Sequence, residues 1–225
     1  MPESPAKNYL QLIKKTAINV ITNPAGFFKD MPVSGGYADP LIFTVAMGVA
    51  AGIVMTLFSI VGLVHADTFM MALATVIFMP IFTGVASFIG AAILFVIWKL
   101  MGSQYSYETA FRCGAYASAI FPITTILGFI PYLGAVVGLL WMMYLMVIAS
   151  TEVHKIEAKK AWIVFGILFA LMIFLNINTQ IAARKAQKEI EKWGGQMERM
   201  DEMTPEEAGK AFGEFMKGIE EGSRK

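Results

Sequence analysis

The chain has 225 residues, 56% hydrophobic and only 16% charged, where a soluble domain has about 45–50% and about 25%. No charge falls between Leu41 and Val64 or between Phe69 and Ile97, which excludes a water-soluble fold and excludes disorder over most of the length. A net charge of +1 exerts no pull toward nucleic acid, and the single cysteine, Cys113, excludes an intrachain disulfide framework and a cysteine-cluster metal site.

Residues 1–40 read as an amphipathic cytoplasmic segment. Tyr9, Ile13, Ala17 and Ile21 recur at helical spacing, with Lys14, Lys15 and Asn19 elsewhere around the helix. Such a helix suits an anionic leaflet. Asn23-Pro24, Phe27-Phe28 and a Gly/Pro-rich approach to Asp39-Pro40 follow.

Residues 41–178 read as a membrane domain. Backbone groups in lipid must be satisfied internally, and the apolar runs are continuous, so the spans are helices. The first is 41–64. The second apolar run, 69–101, is too long for one straight crossing, and Pro80 inside it predicts a bend. The third is 111–129, with Pro122 as a mid-helix kink. The fourth is 131–150, with Pro131 in its first turn and only Ile130 between it and the third. The fifth is 161–177. The fold class is therefore all-α: a polytopic five-helix transmembrane bundle with an amphipathic N-terminal helix and a helical C-terminal tail. Trp98, Trp141, Tyr144 and Trp162 are interface or bundle aromatics. Gly48-x-x-x-Gly52 and Gly134-x-x-x-Gly138 allow close backbone approach, so these four glycines are helix-packing candidates.

Residues 179–225 read as a charged helical tail. A stripe of apolar residues from Ala183 to Met200 is interrupted by Gly194-Gly195. Thr204-Pro205-Glu206-Glu207 is a helix start, with a cap, proline at the first position and early acids. Ala208, Ala211, Phe212, Phe215 and Ile219 then form one face, and Phe212, Phe215 and Ile219 are candidates for docking the tail on a membrane or a partner.

Chemistry is sparse. No predicted span has a charge at its centre, which argues against a proton-coupled pump. His65 with Asp67 and Glu152 with His154 are histidine–carboxylate neighbours, but two ligands do not make a metal site. The span hydroxyls Ser87, Ser118, Thr124 and Thr125 have no base beside them in sequence, and no phosphate loop or dinucleotide fingerprint occurs. No catalytic, cofactor-binding or metal-binding residue is expected, and no cofactor.

Five spans put the termini on opposite sides. Lys and Arg divide evenly, nine on the N-terminal side and nine in the tail. Short loops and residues near the membrane count most. Only Arg184, Lys185, Lys188 and Lys192 of the tail lie close to the fifth span. The N-terminus is therefore expected in the cytoplasm.

Asn23-Pro24 with Phe27-Phe28, then Tyr107-Glu108-x-Ala110-Phe111-Arg112-x-x-Ala115-Tyr116 running into Pro122, resemble the bacterial branch of the Yip (Ypt/Rab-interacting protein) domain family. Pro131-x-x-Gly134 into Trp141, Glu152-Val153-His154 and Lys160-Ala161 extend the likeness over about residues 18–178. The resemblance implies five helices, a cytoplasmic N-terminus, a multi-pass (in a bacterium, inner) membrane location and a non-enzymatic role. Eukaryotic members look like traffic adaptors for Rab-type GTPases. Their aspartate-leucine-tyrosine-glycine-proline element is absent here, so GTPase binding is not implied.

Two functional readings follow. The leading one is a non-catalytic scaffold or adaptor organising protein partners or lipid. Its partners are the bilayer, proteins held by the N-terminal helix and tail, and a second copy of the chain; nucleic acid is not among them. The alternative is a small transporter or channel for a neutral solute, built on the proline-kinked helices.

Overall fold

The computed structural model describes residues 5–61, 69–201 and 209. No strand occurs among them. The helices, in chain order, are α1 (Pro5–Thr22), α2 (Pro24–Asp30), α3 (Ala38–Ile60), α4 (Phe69–Leu100), α5 (Tyr107–Ala117), a 3₁₀ turn (Ser118–Ile120), α6 (Phe121–Leu127), α7 (Leu133–Glu152) and α8 (Ala158–Asp201). Five stretches are long and apolar enough to cross a membrane: Ala38–Ile60, Ala74–Leu100, Tyr107–Leu127, Leu133–Glu152 and Ala158–Lys192. The protein is an all-α multi-pass membrane protein. It divides into two compact units, residues 1–175 and 176–225.

In the first unit, α1 and α2 add Val20, Phe28 and Met31 to the same core as Phe43, Trp98, Ile120, Leu145 and Phe165 of the spanning helices. Lipid tails are as apolar as leucine, so burying apolar surface does little to hold spans together, and close packing must do it. Small residues supply it here: Ala110, Ala117, Ala149 and Ala161 are fully buried. Large apolar side chains face outward instead. On α4, Ile77, Phe78, Ile81, Phe82, Val85, Ile89 and Ile93 are exposed, a surface suited to acyl chains.

Several boundaries depart from the sequence reading. Span one opens at Ala38, not after Pro40, and Pro40 is buried in the first turn of α3. Proline has no N–H to donate, and a first turn requires none. The C-terminal end expected at Val64 lies outside the described residues.

Span three starts at Tyr107 and is not a single helix kinked in its middle at Pro122. The chain changes to a 3₁₀ turn over Ser118–Ile120, and Pro122 sits in the first turn of the new helix α6. A proline ring collides with the carbonyl four residues back, which here belongs to Ser118, so the break falls one turn before the proline. Pro80, by contrast, lies inside the unbroken helix α4.

Pro131 is outside α7. Its carbonyl accepts the Leu133 N–H at 2.7 Å across Tyr132, which has φ 63° and ψ −53°. This is a γ-turn of the rare, strained kind. It closes the α6–α7 hairpin with few residues.

Helix α8 does not end at Ile177 and runs through Gly194-Gly195 to Asp201. In the second unit, Gln180 donates to Asn176 at 2.7 Å and Gln187 donates to Glu191 at 3.3 Å, both one helical turn apart. Such pairs offset part of the helix weakness of asparagine and glycine. The tail candidates Phe212, Phe215 and Ile219 and the predicted start at Thr204 lie outside the described residues.

Candidate functional site

The end of the bundle where α3 begins and α4 ends carries most of the polar architecture. Its centre is the first half of α5. Ser106 caps that helix through the Thr109 N–H, and residues 108, 109 and 112 project on neighbouring sides of the helix. They grip the loop that joins α2 to α3. Glu108 accepts the Gly36 N–H at 2.7 Å. The Thr109 hydroxyl donates to the Val33 carbonyl at 2.9 Å. Arg112 donates from Nε to the Pro32 carbonyl at 2.7 Å and from Nη1 to the Gly36 carbonyl at 2.8 Å.

Arg112 is only 4% exposed, and among the described residues it makes no ion pair. Its charge is met by loop carbonyls instead. That geometry requires the loop to fold back sharply, which Gly35 (φ 129°) and Gly36 (φ 84°) permit. Tyr37, just beyond, packs edge-on to Phe111 at 5.3 Å and lies beside Phe88 and Tyr107. The Tyr107 hydroxyl donates to the Phe88 carbonyl at 2.8 Å, tying α5 to α4.

Upstream, Asn23 caps α2 by accepting the Gly26 N–H at 3.2 Å. A Cβ at Gly26 would collide with the Asn23 side chain. Phe28 is buried, and Phe27 packs edge-on to Tyr116 at 5.2 Å. The Asn23-Pro24 and Phe27-Phe28 pairs and the Tyr107–Tyr116 stretch are thus one structure: α2 and its following loop are locked onto α5.

A second polar group sits beside it. The Trp98 indole N–H donates to Ser150 at 2.7 Å, and the His154 ring stacks on Trp98 at 4.0 Å. Nδ1 of His154 bonds the Ser103 hydroxyl at 2.7 Å, and Nε2 lies 3.8 Å from Cys113 Sγ. Burial, with a smaller contribution from the Lys99 ammonium, lowers the His154 pKa from its usual 6.5 to about 4. The imidazole is neutral at pH 7. His154 therefore pairs with Ser103 and Cys113 and not with Glu152. Among the described residues no group of three or more His, Cys, Asp or Glu could hold a metal ion.

Sequence spacing gave no hint of this thiol–imidazole pair, because residues 113 and 154 come together only when α5 packs against α7. Both are buried, so the pair joins α5 to the α7–α8 turn. Lys160 reinforces the same corner by donating to the Met101 carbonyl at 2.7 Å.

The two glycine pairs occupy different seams. A Cβ on Gly48 would lie 2.9 Å from Pro80 Cα and would also strike Thr83 Oγ1. One on Gly52 would lie 3.0 Å from the Thr75 carbonyl oxygen. Both face the turns of α4 around Pro80. Gly134 abuts the Leu127 carbonyl, and a Cβ on Gly138 would lie 3.2 Å from Thr124. These face α6 within the hairpin.

No curated protein and no solved structure matches the chain. The family model of the Yip1 domain does, over residues 18–177. Those limits take in α2, the clamped loop, the α5 face, the His154 corner and the start of α8, and the chain belongs to the Yip1 domain family.

Proposed function

We propose that the protein is a non-catalytic membrane adaptor that presents a rigid platform on its N-terminal side. The observation that supports this most is the outward side of α1. Of the stripe expected to face lipid, Ile13, Ala17 and Ile21 pack on the protein's own core, with Val20 beside them, and Tyr9 is exposed. Leu10, Leu12 and Ile18 remain exposed beside the exposed Lys14 and Lys15. Apolar groups flanked by cations on a fixed helix suit a protein partner with an acidic rim. The tail, residues 179–225, is proposed as a second docking element through Phe212, Phe215 and Ile219, and residues 1–40 as the cytoplasmic segment.

The buried Cys113–His154 pair does not argue for an enzyme. A nucleophile must be reached by its substrate, and a neutral imidazole beside a buried thiol joins helices instead. Nor does the proline in α4 favour transport. The groove at Pro80 is lined by Leu41, Val45, Ile81, Gly84, Val85 and Phe88, and apolar walls give a polar solute no compensation for lost water.

Purification in mild detergent of the wild type and of a Leu10→Ser, Ile18→Ser variant tests the reading. The wild type should retain a defined set of proteins that the variant loses, with both still inserted. Equal recovery from both, together with solute uptake by the purified protein in vesicles, would replace the adaptor by a transporter.

A further inference from the structure

Beneath the inner edge of α1 lies a cavity of about 260 Å³, walled by Thr16, Asn19, Asn23, Phe27, Asp30 and Tyr116. Its polar groups are left over from the fold's own bonding. Asn23 uses its side-chain oxygen on Gly26 and leaves its amide N–H groups available. Among the described residues, the side chains of Thr16, Asn19 and Asp30 and the Tyr116 hydroxyl have no hydrogen bond or ion pair. Convergent polar groups without partners around a concave site are the usual mark of a ligand pocket. The single carboxylate of Asp30, with the Phe27 ring on the wall, selects a cation with N–H donors, and the Asn23 amide and the Thr16 and Tyr116 hydroxyls can donate to an anionic group beside it.

A second, smaller depression of about 50 Å³ adjoins the first and shares Thr16 and Tyr116 with it. It is mostly apolar, lined by Leu12, Ile13, Ile42 and Phe43, with the exposed Asp39 also bordering it. Ile42 is exposed on the spanning helix α3, so this depression adjoins the lipid-facing surface.

We propose that this paired site holds an ethanolamine phospholipid. The headgroup ammonium sits in the larger cavity against Asp30, the Thr16 and Tyr116 hydroxyls shared by the two hollows meet the phosphate, and the first acyl methylenes lie over Ile42 and Phe43. The joined polar and apolar hollows are what favour a lipid. A lysine side chain from a partner protein would fill the first hollow and leave the second empty. The inference stands apart from the adaptor reading, because a lipid site would serve a transporter equally.

The full-length protein in mild detergent, offered ethanolamine and choline lipids with the same acyl chains, tests this by native mass spectrometry of the retained lipid. A trimethylated ammonium donates no hydrogen bond, so the wild type should prefer ethanolamine by about tenfold. Asp30 and Asn19 are exposed, so Asp30→Asn and Asn19→Leu should fold, and each should bring the preference close to one. Equal retention of the two lipids by the wild type overturns the proposal, as does an unchanged preference in both variants. Displacement of the lipid by a lysine-rich peptide, with no preference between lipids, would assign the cavity to a protein partner and overturn it too.

Discussion

Arg112 lies six residues into a membrane span, yet its bonded nitrogens both point at carbonyls of a loop some 76–80 residues earlier in the chain. A guanidinium in this setting is tolerable only when its donors are used. Replacing it by methionine keeps the bulk and orphans the carbonyls of Pro32 and Gly36. Hydrogen bonds to a charged group are worth about 1.5–3 kcal/mol each, so the loss of two in Arg112→Met should destabilise the protein by about 3–6 kcal/mol. Protease should then cut within residues 32–36. Glu108→Gln keeps its accepting oxygen and should cost less than about 1 kcal/mol. Similar melting temperatures for the two variants would show that the clamp does not hold the loop. At His154 the argument runs through protons. Its folded pKa, about 4, lies below the ordinary value of 6.5, so the unfolded chain binds a proton that the folded one refuses. Stability should be unaffected above pH 6.5, fall as the pH drops from there toward 4, and level off below. The loss attributable to this residue is at most about 3 kcal/mol. His154→Asn should remove that part of the acid sensitivity, and unfolding curves that keep the same pH dependence in the variant would contradict it.

At the scale of helices, the glycines of α3 carry the sharpest expectation. Gly52 faces the backbone of α4, and a leucine there has no flexible neighbour to displace. Gly52→Leu should force α3 and α4 apart at a cost of about 1–3 kcal/mol, read as a lower melting temperature in detergent. A leucine at Gly90 or Gly166, where an added carbon meets nothing within 4 Å, is the matched control and should be nearly neutral. Paired small residues four apart stand out in a sequence because the spacing itself creates a flat strip on a helix. The spans were legible for a similar reason: uncharged runs of that length have few other solutions. Positions of proline were less so. A proline states that a hydrogen bond is missing but not whether the helix absorbs the loss, as at Pro80, or restarts, as at Pro122. The Tyr132 turn was invisible, since nothing in Ile130-Pro131-Tyr132 favours a positive φ. The polar corner at His154 was hidden by distance in the chain, and its neighbour Glu152 drew attention to the wrong pair. The clamp was half visible: Glu108 and Arg112 stood out in the motif, but their partners are backbone atoms, which have no signature in sequence.

For the whole molecule, the remaining question is which way it faces, and the charges divide evenly enough that structure must weight them. Lys14 and Lys15 are exposed on α1, which is packed onto the end of the bundle where α3 begins, and Lys159 is exposed at the start of α8 on the same side. These charges are held close to the membrane, where they count most toward orientation. In the tail, only Arg184, Lys185, Lys188 and Lys192 lie near the end of span five, and the other basic residues are farther along the chain. We therefore propose that the platform is cytoplasmic. An amine reagent that cannot cross membranes, applied to intact cells, should leave Lys14, Lys15 and Lys159 unmodified and should label them once the membrane is opened. Lys160 is a poor reporter, because it is bonded to the Met101 carbonyl. With an odd number of spans, the tail lysines should show the reverse pattern and react on intact cells. Labelling of Lys14 or Lys15 before opening would invert the protein, place the α1 face outside, and remove cytoplasmic proteins from its partners. If tail and platform lysines are both protected until opening, the number of crossings is even, and one of the five apolar helices enters the membrane without crossing it.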